Sequence, residues 1–188
     1  MTNGPIALAI DFGALLDHLG ITYALGGSVG ATFFGEPRTT IDVDFAVRLN
    51  ASELEVLLQH TEAEFYVPTD SARRAVAALD SFNLIHNSGL KIDLFVTGNE
   101  TLDTQQLARR LRIVARREPF AELWVTSPED QILRKLDWFR RGGKVSDRQW
   151  RDILGLINTQ REYLDLEYLT LTATLVGLDQ LLTRAQAS

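Results

Sequence analysis

Two aspartates alternate with apolar residues in Ile41-Asp42-Val43-Asp44-Phe45-Ala46-Val47. That is strand periodicity, and it places Asp42 and Asp44 on one face. Two carboxylates side by side repel each other and resist burial. One reading is an edge strand with a solvated face. The other is a divalent-metal site, because Mg²⁺ takes a few carboxylates together with phosphate oxygens. Upstream, Gly26-Gly27-Ser28 closes a short apolar run, Thr22 to Leu25. Glycines there let a backbone approach a phosphate, and Ser28 is a natural N-cap for a helix whose N-terminus favours anions. A third acid, Asp93, interrupts Leu90-Lys91-Ile92-Asp93-Leu94-Phe95-Val96. Leu90, Ile92, Leu94 and Val96 share one face of that strand, and Lys91, Asp93 and Phe95 the other. A lone acid in such a strand is costly unless something binds it.

The elements that must position these groups are legible in order. Residues 5–19 pattern as an amphipathic helix with Pro5 in its first turn, ended by Gly20. A strand over 21–25 leads into the glycine turn, a helical span follows, and Gly35-Glu36-Pro37 turns the chain into the Asp42–Asp44 strand. Asn50 or Ser52 caps a helix over 53–60, residues 64–67 suit a short strand, and 71–79 a further helix carrying Arg73 and Arg74 on its exposed side. Residues 81–85 and 90–96 pattern as a hairpin across His86-Asn87-Ser88-Gly89. Residues 101–117 open as a polar helix, with a short strand expected around 112–115 and another at 123–125. Thr126-Ser127-Pro128-Glu129-Asp130 starts a helix that ends at Gly142-Gly143. Ser146-Asp147 opens the next, to about Ile157, and two more follow near 165–175 and 178–186.

The combination of Gly27-Ser28, a helix and Asp42-x-Asp44 on the next strand resembles the signature of the polymerase-beta-like nucleotidyltransferases. With Gly35, Arg38 and Thr40 added, it is closer still to the AbiEii-type toxin nucleotidyltransferases and their uncharacterised relatives. The resemblance implies that Asp93 is the third carboxylate of the site, although Gly98 follows it one residue later than the family pattern has its glycine. It also implies that Lys135 in Leu133-Arg134-Lys135-Leu136, and Arg151 in Arg148-Gln149-Trp150-Arg151-Asp152-Ile153, hold a nucleoside triphosphate. The second of these matches is the looser, with an arginine spacing one residue longer than the family's.

The fold that follows is α/β (α+β): a small mixed sheet flanked by helices, with a C-terminal helical region. Residues 1–126 would be the nucleotidyltransferase core and 127–188 the helical region packed on it. The chain of 188 residues is 45% apolar with mean hydropathy near zero, enough for a core. It has no cysteine, so no disulfide framework and no thiolate metal site. No run reaches the length of a membrane span, and cytoplasmic residence is the expectation. A formal charge of −6 argues against a general nucleic-acid binder, yet it is unevenly spread. Residues 1–100 carry 13 acids and 5 bases, whereas residues 109–151 carry 12 bases and 6 acids. That asymmetry fits an enzyme that holds metal and meets a polyanion, and equally fits ordinary solvated helix faces.

The activity implied by the resemblance is transfer of NMP from an NTP to an acceptor hydroxyl or phosphate, with release of pyrophosphate. Asp42, Asp44 and Asp93 would hold two Mg²⁺ (or Mn²⁺) ions about 3.5–4 Å apart. Gly26, Gly27 and Ser28 would cradle the phosphates, with Arg38, Lys135 and Arg151 supplying positive charge. The acceptor would be tRNA or a protein, in the manner of a toxin with a cognate antitoxin. An antibiotic-modifying transferase acting on a small molecule is the alternative. A non-catalytic binding or antitoxin module of the same fold is the third, and the presence of all three carboxylates argues against it.

Overall fold

The computed structural model of the chain describes residues 4–35 and 40–187. Helix α1 (Pro5–His18) leads into β1 (Thr22–Leu25), a short helix α2 (Gly27–Ala31) and β2 (Asp42–Arg48). Then come α3 (Ala51–Thr61), β3 (Phe65–Tyr66), α4 (Thr69–Ala78), β4 (Ser81–His86), β5 (Lys91–Val96) and α5 (Thr101–Ala108). Strands β6 (Leu111–Arg117) and β7 (Phe120–Val125) precede four helices: α6 (Pro128–Arg141), α7 (Asp147–Gln160), α8 (Leu166–Leu175) and α9 (Asp179–Gln186).

Among the described residues the strands form one mixed sheet in the order β3-β4-β5-β2-β1-β7-β6. Strand β2 runs antiparallel to β1 and parallel to β5, and β1 runs parallel to β7. The apolar positions of β2 and β5 (Val43, Phe45, Val47, Ile92, Leu94 and Val96) are buried in a cluster with Leu8, Phe12 and Leu16 of α1 and with α3 and α4. Period-two alternation therefore turns the acids of both strands to the opposite face. There Ala24 and Ala46 are small enough for Leu107 of α5 to pack on them, which leaves the rest of that face open. A second apolar cluster joins α6 to α9 with Leu102.

Helix α6 is fixed at its start. The Ser127 hydroxyl accepts from the Asp130 amide at 3.2 Å and donates to the Asp130 carboxylate at 2.8 Å. Tyr168 of α8 donates to the same carboxylate at 2.6 Å, and the Arg109 guanidinium stacks 3.6 Å from the Tyr168 ring centre. Asn50 caps α3 with a complete capping box to Glu53.

Two expectations need correction. The Gly26-Gly27 turn passes directly into α2, whose first residue is Gly27 and whose N-cap is Gly26 with no side-chain cap bond. Ser28 lies inside the first turn and is not the cap. The expected strand near 112–115 is one arm of a hairpin with β7, which begins at Phe120 rather than 123. Strand β6 is an edge strand with a register irregularity between Val114 and Arg116, and such a break erases the two-residue period on which recognition depends.

Candidate active site

Parallel pairing sets Asp44 directly across from Asp93, and Asp42 across from Lys91. Adjacent strands lie about 4.8 Å apart, so the three carboxylates and the lysine form a two-by-two patch on one face. The Lys91 ammonium lies between two of the acids, 2.8 Å from Asp93 Oδ2 and 3.4 Å from Asp42 Oδ1. Its hydrogen bond to Asp93 holds the Lys91 pKa above the ordinary value. Among the described residues no three acidic or histidine side chains come together as a ready metal cluster. The cation between Asp42 and Asp93 is an ammonium.

The glycine turn rests on this patch. The Gly26 amide donates to the Asp44 carbonyl at 2.8 Å, and Gly27 has φ +57°, in the left-handed region that favours glycine. A Cβ on Gly27 would lie 1.8 Å from Asp44 Oδ2. Close approach of the turn to Asp44 is thus the structural use of the glycine.

A cleft of about 860 Å³ opens over Asp44. Gly26, Gly27 and Ser28 line one end, and Lys135 and Trp138 of α6 one wall. The Lys135 ammonium is paired with Asp152 of α7 at 3.0 Å, and its charge also favours the ionised form of Asp44. The Phe95 and Trp138 rings meet at 5.1 Å between centres, one side-chain row beyond the carboxylates. Deeper in, Arg134 donates to Asp103 and Gln106, and Asp80 and Glu100 also border the cleft.

Asp42, Asp44, Asp93, Gly26, Gly27, Ser28 and Lys135 are thus brought to one region. Arg38 lies outside the described residues. Arg151 does not line the cleft: it is exposed and donates to the Asp147 carbonyl at 3.4 Å. Arg148, Gln149 and Asp152 face the cleft instead, because a helix turns neighbouring residues to different sides and Arg151 falls on the flank. Lys91, Asp152 and Trp138 lie beside these residues, and the sequence does not single them out. Lys91 shares the Asp93 face by simple alternation, but its place opposite Asp42 requires the strand register.

Burial, then the charges of Asp93 and Asp42, push the Asp44 carboxyl up to about 6 from an ordinary 3.8, against the pull of Lys135 and Lys91. The folded protein therefore binds this proton more tightly than the unfolded chain does. The contribution of Asp44 to stability is fully present below about pH 4, falls as pH rises through 6, and is level above it. The gap is worth about 3 kcal/mol at most. Asp44→Asn is expected to raise the metal-free midpoint of chemical unfolding at pH 8 and to flatten its dependence between pH 4 and 7. A variant less stable than the native protein at pH 8 would contradict the repulsion.

Hard oxygen donors on neighbouring strands suit Mg²⁺ or Mn²⁺, and the elevated Asp44 marks a patch that favours added positive charge. The donor chemistry fits such an ion, provided that Lys91 yields its place.

No protein-family model matches the chain, and no curated relative matches its sequence. Solved structures do match. An antigenic nucleotidyltransferase-like protein from Paracoccidioides brasiliensis superposes with a TM-score of 0.55 at 17% identity, over 97% of this chain and 91% of that one. The chain has the nucleotidyltransferase fold. The antibiotic-resistance factor ANT(2'')-Ia superposes with the same TM-score at 12% identity, again over 97% of this chain and 91% of that one. At these identities the likeness is one of fold, and it covers the sheet and the C-terminal helices of the nucleotidyltransferase fold alike. Among the described residues no helix is long and apolar enough to cross a membrane.

Proposed function

We propose that the chain is a nucleotidyltransferase that moves NMP from an NTP to an acceptor hydroxyl or phosphate. The observation that carries this reading is the register that sets Asp44 against Asp93 beside the Gly26–Ser28 turn, at the head of a cleft large enough for a nucleotide. In the reaction an acceptor oxygen bonds to the α-phosphorus, the bond from that phosphorus to the bridging oxygen breaks, and pyrophosphate leaves. The acceptor proton passes to solvent. Mg²⁺ or Mn²⁺ held by Asp42, Asp44 and Asp93 would supply positive charge to the triphosphate and to the attacking oxygen.

The chain's own residues contribute binding and orientation. The Gly26–Gly27 backbone lets phosphate approach to within hydrogen-bonding reach of main-chain amides. Lys135, held in place by Asp152, faces the charge that accumulates on pyrophosphate. The indole of Trp138, tilted at 57° against the Phe95 ring, offers an apolar surface next to the charged row.

The finer reading is a tRNA or protein acceptor, with the chain as the toxin of a toxin–antitoxin pair. It is supported by the AbiEii-type motif and by Arg141 and Arg148, both exposed where the cleft meets solvent. Two experiments test the two levels. Calorimetry with each NTP is expected to show binding in Mg²⁺ and little in EDTA, and affinity equal in both would defeat the metal-dependent reading. Labelled NTP with total RNA then tests the acceptor. Label transferred to RNA is expected to fall steeply with salt, because phosphate contacts release counterions. Salt-insensitive transfer to a small molecule would replace the finer reading with the antibiotic-modifying one.

A further inference from the structure

We propose that Lys91 is a positioning residue that stands in for a cation between Asp42 and Asp93, and that a divalent ion enters by displacing its ammonium. The inference rests on the metal-dependent reading above and goes beyond it by assigning the residue that the ion must compete with.

The chain contains three lysines, Lys91, Lys135 and Lys144. Two of them are ion-paired near Asp44, Lys91 with Asp42 and Asp93 on the sheet and Lys135 with Asp152 on the cleft wall. Lys91 contacts two of the three acids at once, and the third, Asp44, is next to it across the Asp44–Asp93 pairing. A surface ion pair needs only one partner. An ammonium shared by carboxylates from two strands turns the acids of both strands to a common point.

The geometry also allows release. The Lys91 side chain is 36% exposed, and its four-carbon stem can swing the charge into water without disturbing the buried Ile92 and Val43 behind it. Arginine would be a poorer choice, since its planar fork grips carboxylates bidentately. With Lys91 in place Asp42 and Asp93 share one positive charge, and Lys135, which lines the cleft with Asp44, is engaged by Asp152. A divalent ion brings twice the charge of the ammonium it expels. The metal-free site is thus preformed, at the cost of weaker affinity for the ion.

The test is Mn²⁺ binding to the full chain at pH 8, by titration calorimetry and by the loss of the free-ion paramagnetic signal. Lys91→Met keeps the apolar stem and removes the charge. It is expected to bind Mn²⁺ about tenfold more tightly than the native protein, the equivalent of about 1.4 kcal/mol. Lys91→Arg is expected to bind more weakly than the native protein. Unchanged or weaker binding by a folded Lys91→Met variant would overturn the proposal, because a merely structural lysine gives that result. A second readout needs no variant. Amine-reactive labelling followed by mass spectrometry should find Lys91 slow in EDTA and faster in saturating Mg²⁺, with exposed Lys144 unchanged as the internal standard. Equal labelling of Lys91 in both conditions would also overturn it. Asp44→Asn and Asp93→Asn separate the two levels. If both weaken Mn²⁺ binding while Lys91→Met does not strengthen it, only the role of Lys91 falls. If no protein binds Mn²⁺, or the aspartate variants bind it as the native chain does, the metal-dependent reading falls with it.

Discussion

Replacing Gly27 by alanine is expected to cost about 2–5 kcal/mol of stability and to lower nucleotidyl transfer at least about a hundredfold. Two costs combine. At φ +57° a side chain meets the left-handed penalty of about 1–2 kcal/mol. The added Cβ would also lie 1.8 Å from Asp44 Oδ2, 2.5 Å from its Cγ and 2.8 Å from its Cβ. Rotating the Asp44 side chain moves the carboxylate but leaves the Cβ where the strand puts it. The turn is pinned as well, by Gly26 donating to the Asp44 carbonyl at 2.8 Å and by Gly30 donating to the Gly26 carbonyl at 2.7 Å. The backbone must therefore shift at the point where phosphate is proposed to sit. Gly26→Ala is the control: its φ is −123° and the nearest neighbour of its Cβ would be Thr126 Oγ1 at 3.7 Å. It should lose much less. Combining Gly27→Ala with Asp44→Gly should recover part of the stability but none of the transfer, since the clash is relieved and the carboxylate is gone. Denaturant unfolding and Mg–NTP affinity measure the two effects. A Gly27→Ala chain as stable and as tight in binding as the native one would reduce the turn to a link between strand and helix.

That Asp42 and Asp44 share one strand face, and that Asp93 shares a face with Lys91, was legible in the sequence for a physical reason. Each of these acids alternates with apolar residues that specify the buried face of its strand, and an acid set so close to the core requires a partner. The same alternation placed β2 and β5, and the glycine turn was readable because close backbone approach leaves few other residue types. Ser127 and Asn50 were readable as caps for similar reasons of local geometry. What stayed hidden depends on pairing between distant segments. Lys91 looks like an ordinary solvated residue until the parallel register puts it beside Asp42. Asp152 gains its meaning only from Lys135, seventeen residues earlier and on another helix. The choice between Arg148 and Arg151 turns on the rotation of α7 about its axis, which motif spacing does not encode. Trp138 falls on the exposed side of an amphipathic helix, and only the packing of α6 over β5 shows that this side borders a cleft. Strand β6 was partly obscured because its arginines and its irregular register blur the period.

Asp93→Asn is expected to leave Mg–NTP affinity within about threefold of the native value, which is under 1 kcal/mol, and to lower single-turnover transfer by about a thousandfold or more. Asp44→Asn is expected to damage both. The structure separates the two residues by position. Asp44 borders the cleft beside Gly27 and opposite Lys135, so its charge acts where the triphosphate is proposed to lie. Asp93 is one strand away, held by Lys91 and adjoining Asn83 of β4 in the sheet, on the side farther from the glycine turn. Loss of its charge should be felt by the attacking oxygen more than by the nucleotide. Asparagine keeps the shape and the strand pairing, so the change is electrostatic. Lys91 adds an internal check, because in Asp93→Asn the ammonium loses its nearer partner and retains Asp42 at 3.4 Å. Its amine should therefore label faster even in EDTA, and this reports that the substitution acted where intended in a folded chain. With that confirmed, full transfer by Asp93→Asn would make Asp93 an ordinary strand residue paired to a lysine, and a complete nucleotidyltransferase site in this cleft would no longer be tenable.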